Sequence, residues 1–347
     1  MKKWRRLGLA LAAALALGAT APPAHAAKPA KSTTTTTAPG TRDPIDEPIG
    51  SDTVVNAWAV APVGPSVDPT QPSERPFLTY SVTPGQVIHD EVVLYNYSNV
   101  PLDFRLYPTD AFNNEQGAFD ALPANQKAKD VGTWVKVDQE NLALPAKTQA
   151  VVPITVAVPR QAAPGDHAGA ILASSIAQGT GPDGQVVNVD RRTGTRMYIR
   201  VAGKLTPQLT ITKVTNTYKP SLNPFSGKSV VSYRVENQGN VRLAGKHRVS
   251  ASGLFGLGKK NTKQADVPEL LPGQGVTLHA TFSGMPATFL DFATAKVDPD
   301  DVLAHHLGVT SRSAATLAVP WSVIALATIV ALSLYARRSY RRRTAGE

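Results

Sequence analysis

The side chains best suited to metal binding or proton transfer are seven histidines, His25, His89, His167, His247, His279, His305 and His306, and none stands in an H-E-x-x-H pattern. His305 and His306 form the one adjacent pair. Neighbouring residues point in different directions, so the pair reads as a polar stretch and not as a ligand set. Asp298, Asp300 and Asp301 crowd together but lack the spaced oxygens and closing Glu of an EF-hand, and a solvated turn accounts for them. The chain has no cysteine, which removes thiol nucleophiles, Cys-based zinc sites and iron–sulfur clusters. There is no G-x-S-x-G elbow and no S-x-x-K beside its usual companion motifs. These residues nominate no catalytic group, no metal and no cofactor.

Three other groups carry recognition chemistry. The stretch 253–260 sets Leu254, Phe255 and Leu257 among glycines and ends in Lys259 and Lys260. Such a connection either tucks into a core or offers itself to a partner. Arg191, Arg192, Arg196 and Arg200 flank Met197, Tyr198 and Ile199 in a strand-compatible segment that an anionic wall polymer could meet, although a solvated strand face has the same pattern. Trp58 and Trp134 suit either sugar stacking or core packing, and the alternation around Trp134 (Thr133, Val135, Lys136, Val137) favours a core strand.

Elements that would position these groups are strands. With 42% hydrophobic residues, only 6% aromatics and 28 prolines in 347 residues, the composition suits many short extended segments broken by turns. Residues 87–95, 102–107 and 151–158 alternate or run apolar between turn residues, and so do 209–214, 229–235, 276–282 and 294–297. Strands without helical patterns between them predict an all-β fold of two immunoglobulin-like antiparallel β-sandwiches in tandem, 53–204 and 205–308. The turn Thr83-Pro84-Gly85-Gln86 before one strand and Asn96-Tyr97-Ser98-Asn99 after it resemble Leu271-Pro272-Gly273-Gln274 and Asn237-Gln238-Gly239-Asn240 in the second region, in a different order.

The ends of the chain explain its charge. Residues 1–26 have a basic start, an apolar run and an Ala24-His25-Ala26 cleavage pattern, which together predict a secretion signal. Residues 27–52 form a Thr/Pro-rich segment with too few apolar residues to fold, a linker. Residues 309–336 read as a juxtamembrane segment and a membrane-spanning helix, uncharged from 313 to 336, with Trp321 and Tyr335 near its ends as interface anchors. Arg337, Arg338, Arg341, Arg342 and Arg343 crowd a tail of residues 337–347, which places the C-terminus in the cytoplasm and the sandwiches outside. Of the formal +10, the signal and the tail hold four net charges each, leaving +2 on residues 27–336. That is no footprint for a nucleic acid.

Several stretches also resemble one family. Phe77-Leu78-Thr79-Tyr80-Ser81-Val82-Thr83-Pro84-Gly85-Gln86, the strand into Tyr95-Asn96-Tyr97-Ser98, Val158-Pro159, and Pro164-Gly165-Asp166-His167-Ala168-Gly169-Ala170-Ile171 are similar to the first domain of the bacterial WxL-interacting protein family. The second region, with its Gly-Leu-Phe-Gly loop and Glu269-Leu270-Leu271-Pro272-Gly273, is similar to the partner-binding half of such proteins. The resemblance implies a peptidoglycan-binding first domain and a protein-binding second one. The expectation is a non-enzymatic, single-pass surface protein that tethers cell wall or another surface protein. Its rivals are an envelope enzyme acting on wall glycans and a chaperone-like assembly factor that lends a sheet edge to its client. The arginine asymmetry generates a direct test: protease added to intact spheroplasts removes residues 27 to about 312 and spares the tail, whereas protection of the sandwiches overturns the orientation.

Overall fold

Alternation becomes burial strand by strand. In Leu78-Thr79-Tyr80-Ser81-Val82 the odd members are buried and the even ones exposed, the period of two that a half-buried strand requires. A computed structural model describes residues 56–64, 75–180, 183, 185–301 and 307–344. The expected secretion signal, the linker and His305-His306 lie outside these residues.

Among the described residues the first sandwich holds β1 (Trp58–Pro62), β2 (Leu78–Val82), β3 (Val87–Asn96), β4 (Leu102–Asn113), β5 (Phe119–Ala121), a single helical turn α1 (Val131–Trp134), β6 (Val135–Val137), β7 (Asn141–Leu144), β8 (Gln149–Ala157), β9 (Gly165–Thr180) and β10 (Val186–Val201). One sheet runs β1-β3-β8-β6 and the other β2-β10-β9-β4-β5, with β7 on β4. Leu78, Leu94, Leu106, Ile154, Ile171, Met197 and Ile199 fill the space between them.

The second sandwich holds β11 (Leu209–Lys219), β12 (Gly227–Asn237), β13 (Leu243–Gly253), a 3-10 turn (Leu254–Gly256), β14 (Lys260–Asn261), β15 (Ala265–Leu270), β16 (Gly275–Met285), β17 (Phe289–Asp301) and β18 (Thr310–Ala318), and α2 (Trp321–Thr344) follows. Sheet β11-β12-β16 faces β14-β13-β17-β18, with β15 on β13. Tyr233, Leu243, Leu270 and Met285 are at the centre of its core. The architecture is therefore all-β, two immunoglobulin-like sandwiches in tandem with one C-terminal helix.

Four expectations change. Pairing is not wholly antiparallel: β2 lies parallel to β10, Leu78 opposite Met197, because the chain crosses from one sheet to the other between β1 and β2 and joins the far edge in the same direction. Trp134 sits on α1 and not on a strand. The Asp110 carboxylate accepts the backbone N–H groups of Lys129, Asp130 and Gly132 at 2.6, 2.9 and 2.7 Å and so coils the chain just before β6. Asp298, Asp300 and Asp301 are on β17, paired with β13, instead of in a turn. The second sandwich does not stop at 308: residues 310–318, read from sequence as juxtamembrane and helix, form β18 along β17, and the helix starts at Trp321. Ala314, Ala315 and Ala318 are apolar and intrinsically favour helix, and pairing with nine residues of β17 overrides that preference.

The shared turn chemistry also has a structural answer. Asn96 and Asn237 are both buried at a strand end. Asn96 Nδ2 donates to the carbonyls of Val100, Leu144 and Pro145, and its Oδ1 accepts the Ser98 N–H. Asn237 Nδ2 donates to Val241 and Leu270, and its Oδ1 accepts the Gly239 N–H. The partner of the 270–274 turn is thus the 144–148 turn, not Pro84-Gly85, which explains the apparently swapped order.

The described residues belong to one unit, 52–347, and the sandwiches meet at a polar joint. Asp166, at the base of β9 with its side chain 3% exposed, receives Arg200 Nε and Nη2 at 2.6 and 2.7 Å and the backbone N–H of Arg242 at 2.8 Å. The Arg242 guanidinium lies 3.7 Å over the Tyr198 ring and reaches Glu269 at 3.2 Å. Asn240 holds the carbonyls of Pro164 and Lys204, and Asn113 bonds the Glu269 carbonyl and the Leu271 N–H. Because β18 completes the second sandwich, a fragment of residues 205–318 is expected to unfold in one cooperative denaturant transition, while a fragment ending at 308 shows a lower midpoint or none.

Candidate functional site

The longest elements of the first sandwich are β9 and β10, 16 residues each, paired from Gly165 opposite Val201 to Thr180 opposite Val186. Their neighbours are much shorter. On one flank β4 pairs with β9 only between Gly169 and Ser174, and on the other β2 pairs with β10 only between Met197 and Val201. Residues 175–180 and 186–196 therefore have no strand partner outside the β9–β10 hairpin among the described residues. Ile176 is 72% exposed on this hairpin, and Val186 and Val189 are exposed with it. Asp190, Arg191 and Arg192 follow, Arg192 lying 3.9 Å from Asp190.

Where β9 leaves β4, a groove of about 960 Å3 opens, with Phe104, Arg105 and Leu142 on one wall and Ser175, Ile176 and Asp190 on the other. Leu142 belongs to β7, which pairs only with β4, so the groove has an incomplete strand edge on each side. An extended backbone is the shape such a groove admits.

The four arginines singled out from sequence do not converge. Arg192, Arg196 and Arg200 share one face of β10 and Arg191 is on the other. Arg200 is committed to Asp166, and Arg196 lies over Phe77 and Phe119 at 5.3 and 4.6 Å. Trp134 is buried against the core with its ring 4.7 Å from His167, and Trp58 packs edge-on to Phe104 at 5.5 Å while its Nε1 donates to the Ala173 carbonyl. The 253–260 loop is elsewhere, on the second sandwich: Phe255 is 91% exposed, Leu257 and Lys259 are exposed, Leu254 is half-buried, and Lys260 Nζ donates to the Ser283 carbonyl. Trp321 opens α2, Tyr335 is on its exterior, and Arg337, Arg338, Arg341, Arg342 and Arg343 lie in its last turns. This helix is long and apolar enough to cross a membrane.

Sequence reasoning missed the hairpin. The signal was present in Gly179-Thr180-Gly181-Pro182-Asp183-Gly184, a run of turn formers between two strand-like stretches. Among the described residues no cluster of three His, Asp or Glu side chains is placed to hold a metal ion.

No family model matches the chain, and no curated protein matches it. Among solved structures, it is similar to the class 5 fimbriae chaperone CfaA (12% identity, 76% of this chain and 100% of that one, TM-score 0.32). It is also similar to Salmonella enterica SafA pilin in complex with the SafB chaperone (10%, 75% and 97%, TM-score 0.33) and to the Pseudomonas aeruginosa CupB2 chaperone (10%, 70% and 97%, TM-score 0.31). A likeness of that order carries no inference about what this chain binds.

At the hairpin's base His167 has both ring nitrogens on acceptors, Nδ1 at 2.8 Å from Asp130 Oδ2 and Nε2 at 2.9 Å from the Ala163 carbonyl, as only the protonated ring satisfies. Burial pulls its pKa down, but the Asp130 carboxylate and the Ala163 carbonyl outweigh it and hold the pKa above the ordinary histidine value. A raised pKa contributes stability that is fully present below the unfolded value of about 6.5 and is lost as pH rises through the folded value. The stability gap between wild type and His167→Gln is therefore expected to be wider at about pH 5.5 than at about pH 8 in urea titrations, and an equal gap at both contradicts the charged pair.

Proposed function

We propose that this chain is a non-enzymatic, membrane-anchored binding protein of the cell surface, held by α2 with its sandwiches outside, and that it captures an extended segment of another exported protein. The observation that carries the reading is the pair of open edges on β9 and β10, with the groove beside them. Every second residue of such an edge turns its N–H and C=O outward, where a visiting strand pairs them in any sequence, while Ile176, Val186 and Val189 give apolar contacts that select side chains. The charged run Asp190-Arg191-Arg192 keeps the same edge from pairing with copies of itself.

This favours the strand-lending alternative over tethering to a glycan. Sugar rings stack on flat aromatic platforms, and both Trp58 and Trp134 have their rings engaged inside the first sandwich. The arginine-rich end of α2 supports a cytoplasmic C-terminus.

Photo-crosslinking residues placed at Ile176 and Val189 of the full chain in intact cells test the reading. Adducts to an exported protein are expected at both positions, and Ile176→Lys with Val189→Lys is expected to reduce capture at least about tenfold, in line with loss of interface anchors. Adducts that muramidase releases as wall fragments would move the ligand to peptidoglycan. Adducts at neither position, with binding retained, would place the partner site off the hairpin.

A further inference from the structure

One end of the second sandwich lies farthest along its strands from the joint. Three connections meet there. Residues 220–226 join β11 to β12, which close with Lys219 opposite Lys228. Residues 254–259 leave β13, whose Gly253 is opposite Asp291. Residues 286–288 join β16 to β17, and Gly227 lies opposite Met285. The three are tied to one another: the Ala287 N–H donates to the Pro224 carbonyl at 2.7 Å and the Leu254 N–H to Thr288 Oγ1 at 2.8 Å. Phe289 pairs with Ala318, the last residue of β18, so the chain departs for α2 from this same end after only Val319 and Pro320.

What these connections show to solvent is apolar and basic. Leu222 is 93% exposed, and Phe225, Phe255, Leu257, Phe289 and Leu317 are exposed around it. Lys219, Lys228, Lys259 and Lys260 are exposed among them, and residues 219–228, 253–261 and 283–290 contain no carboxylate. Two of the aromatics are also held at a cost: Phe255 and Phe289 have φ of 56° and 67°, the left-handed region that bulky side chains avoid. Neither gains burial in return. Strained backbone that presents an exposed aromatic is a mark of a contact surface.

The helix α2 has a short uncharged length. From Trp321 to Ala336 it is uncharged for about 24 Å at 1.5 Å per residue, shorter than a hydrocarbon core of about 30 Å. Arg337 and Arg338 can extend it at one end by snorkelling. At the other end nothing follows outward but Pro320, Val319 and the sandwich.

We infer that this end of the second sandwich is seated in the outer leaflet of the bilayer that α2 spans, with Leu222, Phe225, Phe255, Leu257 and Phe289 in the interface and the four lysines on anionic headgroups. The inference rests on the anchored reading above and gives the 253–260 loop a lipid surface as its partner. The lysines complement acidic lipid, and the apolar side chains make up the length that the helix lacks.

Absence of native cysteine makes the test clean. Single substitutions Leu222→Cys, Leu257→Cys, Ala325→Cys and Ile176→Cys are labelled with an environment-sensitive fluorophore in the full chain, reconstituted in phosphatidylcholine–phosphatidylglycerol vesicles containing spin-labelled lipid. Blue-shifted emission and quenching are expected at 222, 257 and 325, and neither at 176. Water-like, unquenched emission at 222 and 257 beside a quenched 325 overturns the seating and leaves the anchor standing. An unquenched 325 removes the anchor itself and the seating with it. In a second measurement Phe255→Gly, which relieves the positive φ, is expected to unfold no earlier in detergent yet to reduce quenching at 257; undiminished quenching there counts against Phe255 as a lipid contact.

Discussion

A single carboxylate joins the parts of this molecule. Asp166 is nearly inaccessible and accepts two hydrogen bonds from Arg200, on the neighbouring strand of the same hairpin, and one from the backbone of Arg242, on the other sandwich. Burying that charge is costly, and the Coulomb attraction of an arginine offsets the cost only when the geometry is good and the remaining lone pairs are filled. Here they are. What such an arrangement provides is a fixed relation more than raw stability, since an apolar joint of the same size would hold as tightly and slide more easily. The Arg242 guanidinium against Tyr198 and the Asn113 clasp on the 269–271 backbone add direction to the same contact. The hairpin's base is therefore anchored to the second sandwich while its outer half is left without strand neighbours.

Sequence made the strands legible because burial of one sheet face imposes a period of two, and the turns legible because proline, glycine and asparagine are restricted to a few backbone shapes. Several features escaped it, three of them because non-local pairing decides them. The 310–318 strand has the small apolar residues that a membrane helix also uses, and only pairing with β17, a non-local partner, separates the two outcomes. The parallel edge of β2 depends on which sheet the chain enters after β1, which local pattern does not encode. The joint pairs residues 76 positions apart, so Asp166 in the sequence looks like any polar turn residue. Asn96 and Asn237 are an intermediate case: their neighbourhoods looked alike in sequence, but which turn each one staples became apparent only from the carbonyls they hold.

Strand edges are a liability that folded proteins normally cover, charge or close. The second sandwich covers one of its edges: β18 lies beside β11, with Thr310 and Arg312 reaching the Leu209 and Ile211 carbonyls at 3.4 and 3.2 Å, while β16 pairs with β12 alone. The first sandwich treats its main edges differently. There β9 and β10 run far past β4 and β2, carrying exposed Ile176, Val186 and Val189 on backbone that has spare donors and acceptors. The overhang of β9 and β10 beyond both neighbours is thus unlike the β11 edge, which β18 closes. A hairpin of two 16-residue strands that outruns both of its flanking strands is better explained by use than by a general failure to protect an edge.

The same reasoning applies at the other extreme of the chain, where the unfavourable feature is backbone and not edge. A phenylalanine at positive φ loses about 1 kcal/mol or more relative to a glycine in the same place, and the loop 254–258 already contains glycines at 256 and 258 with φ of 78° and 64°. Glycine at 255 would have fitted the turn without strain. Retaining a large ring there, almost wholly exposed, adds nothing to the core of the second sandwich, to which neither Phe255 nor Phe289 contributes a buried side chain. The two rings must therefore derive their advantage outside the folded chain, and a surface beside the start of α2 that is apolar at its centre, basic at its margin and free of carboxylates matches the chemistry of a bilayer interface on each of those counts.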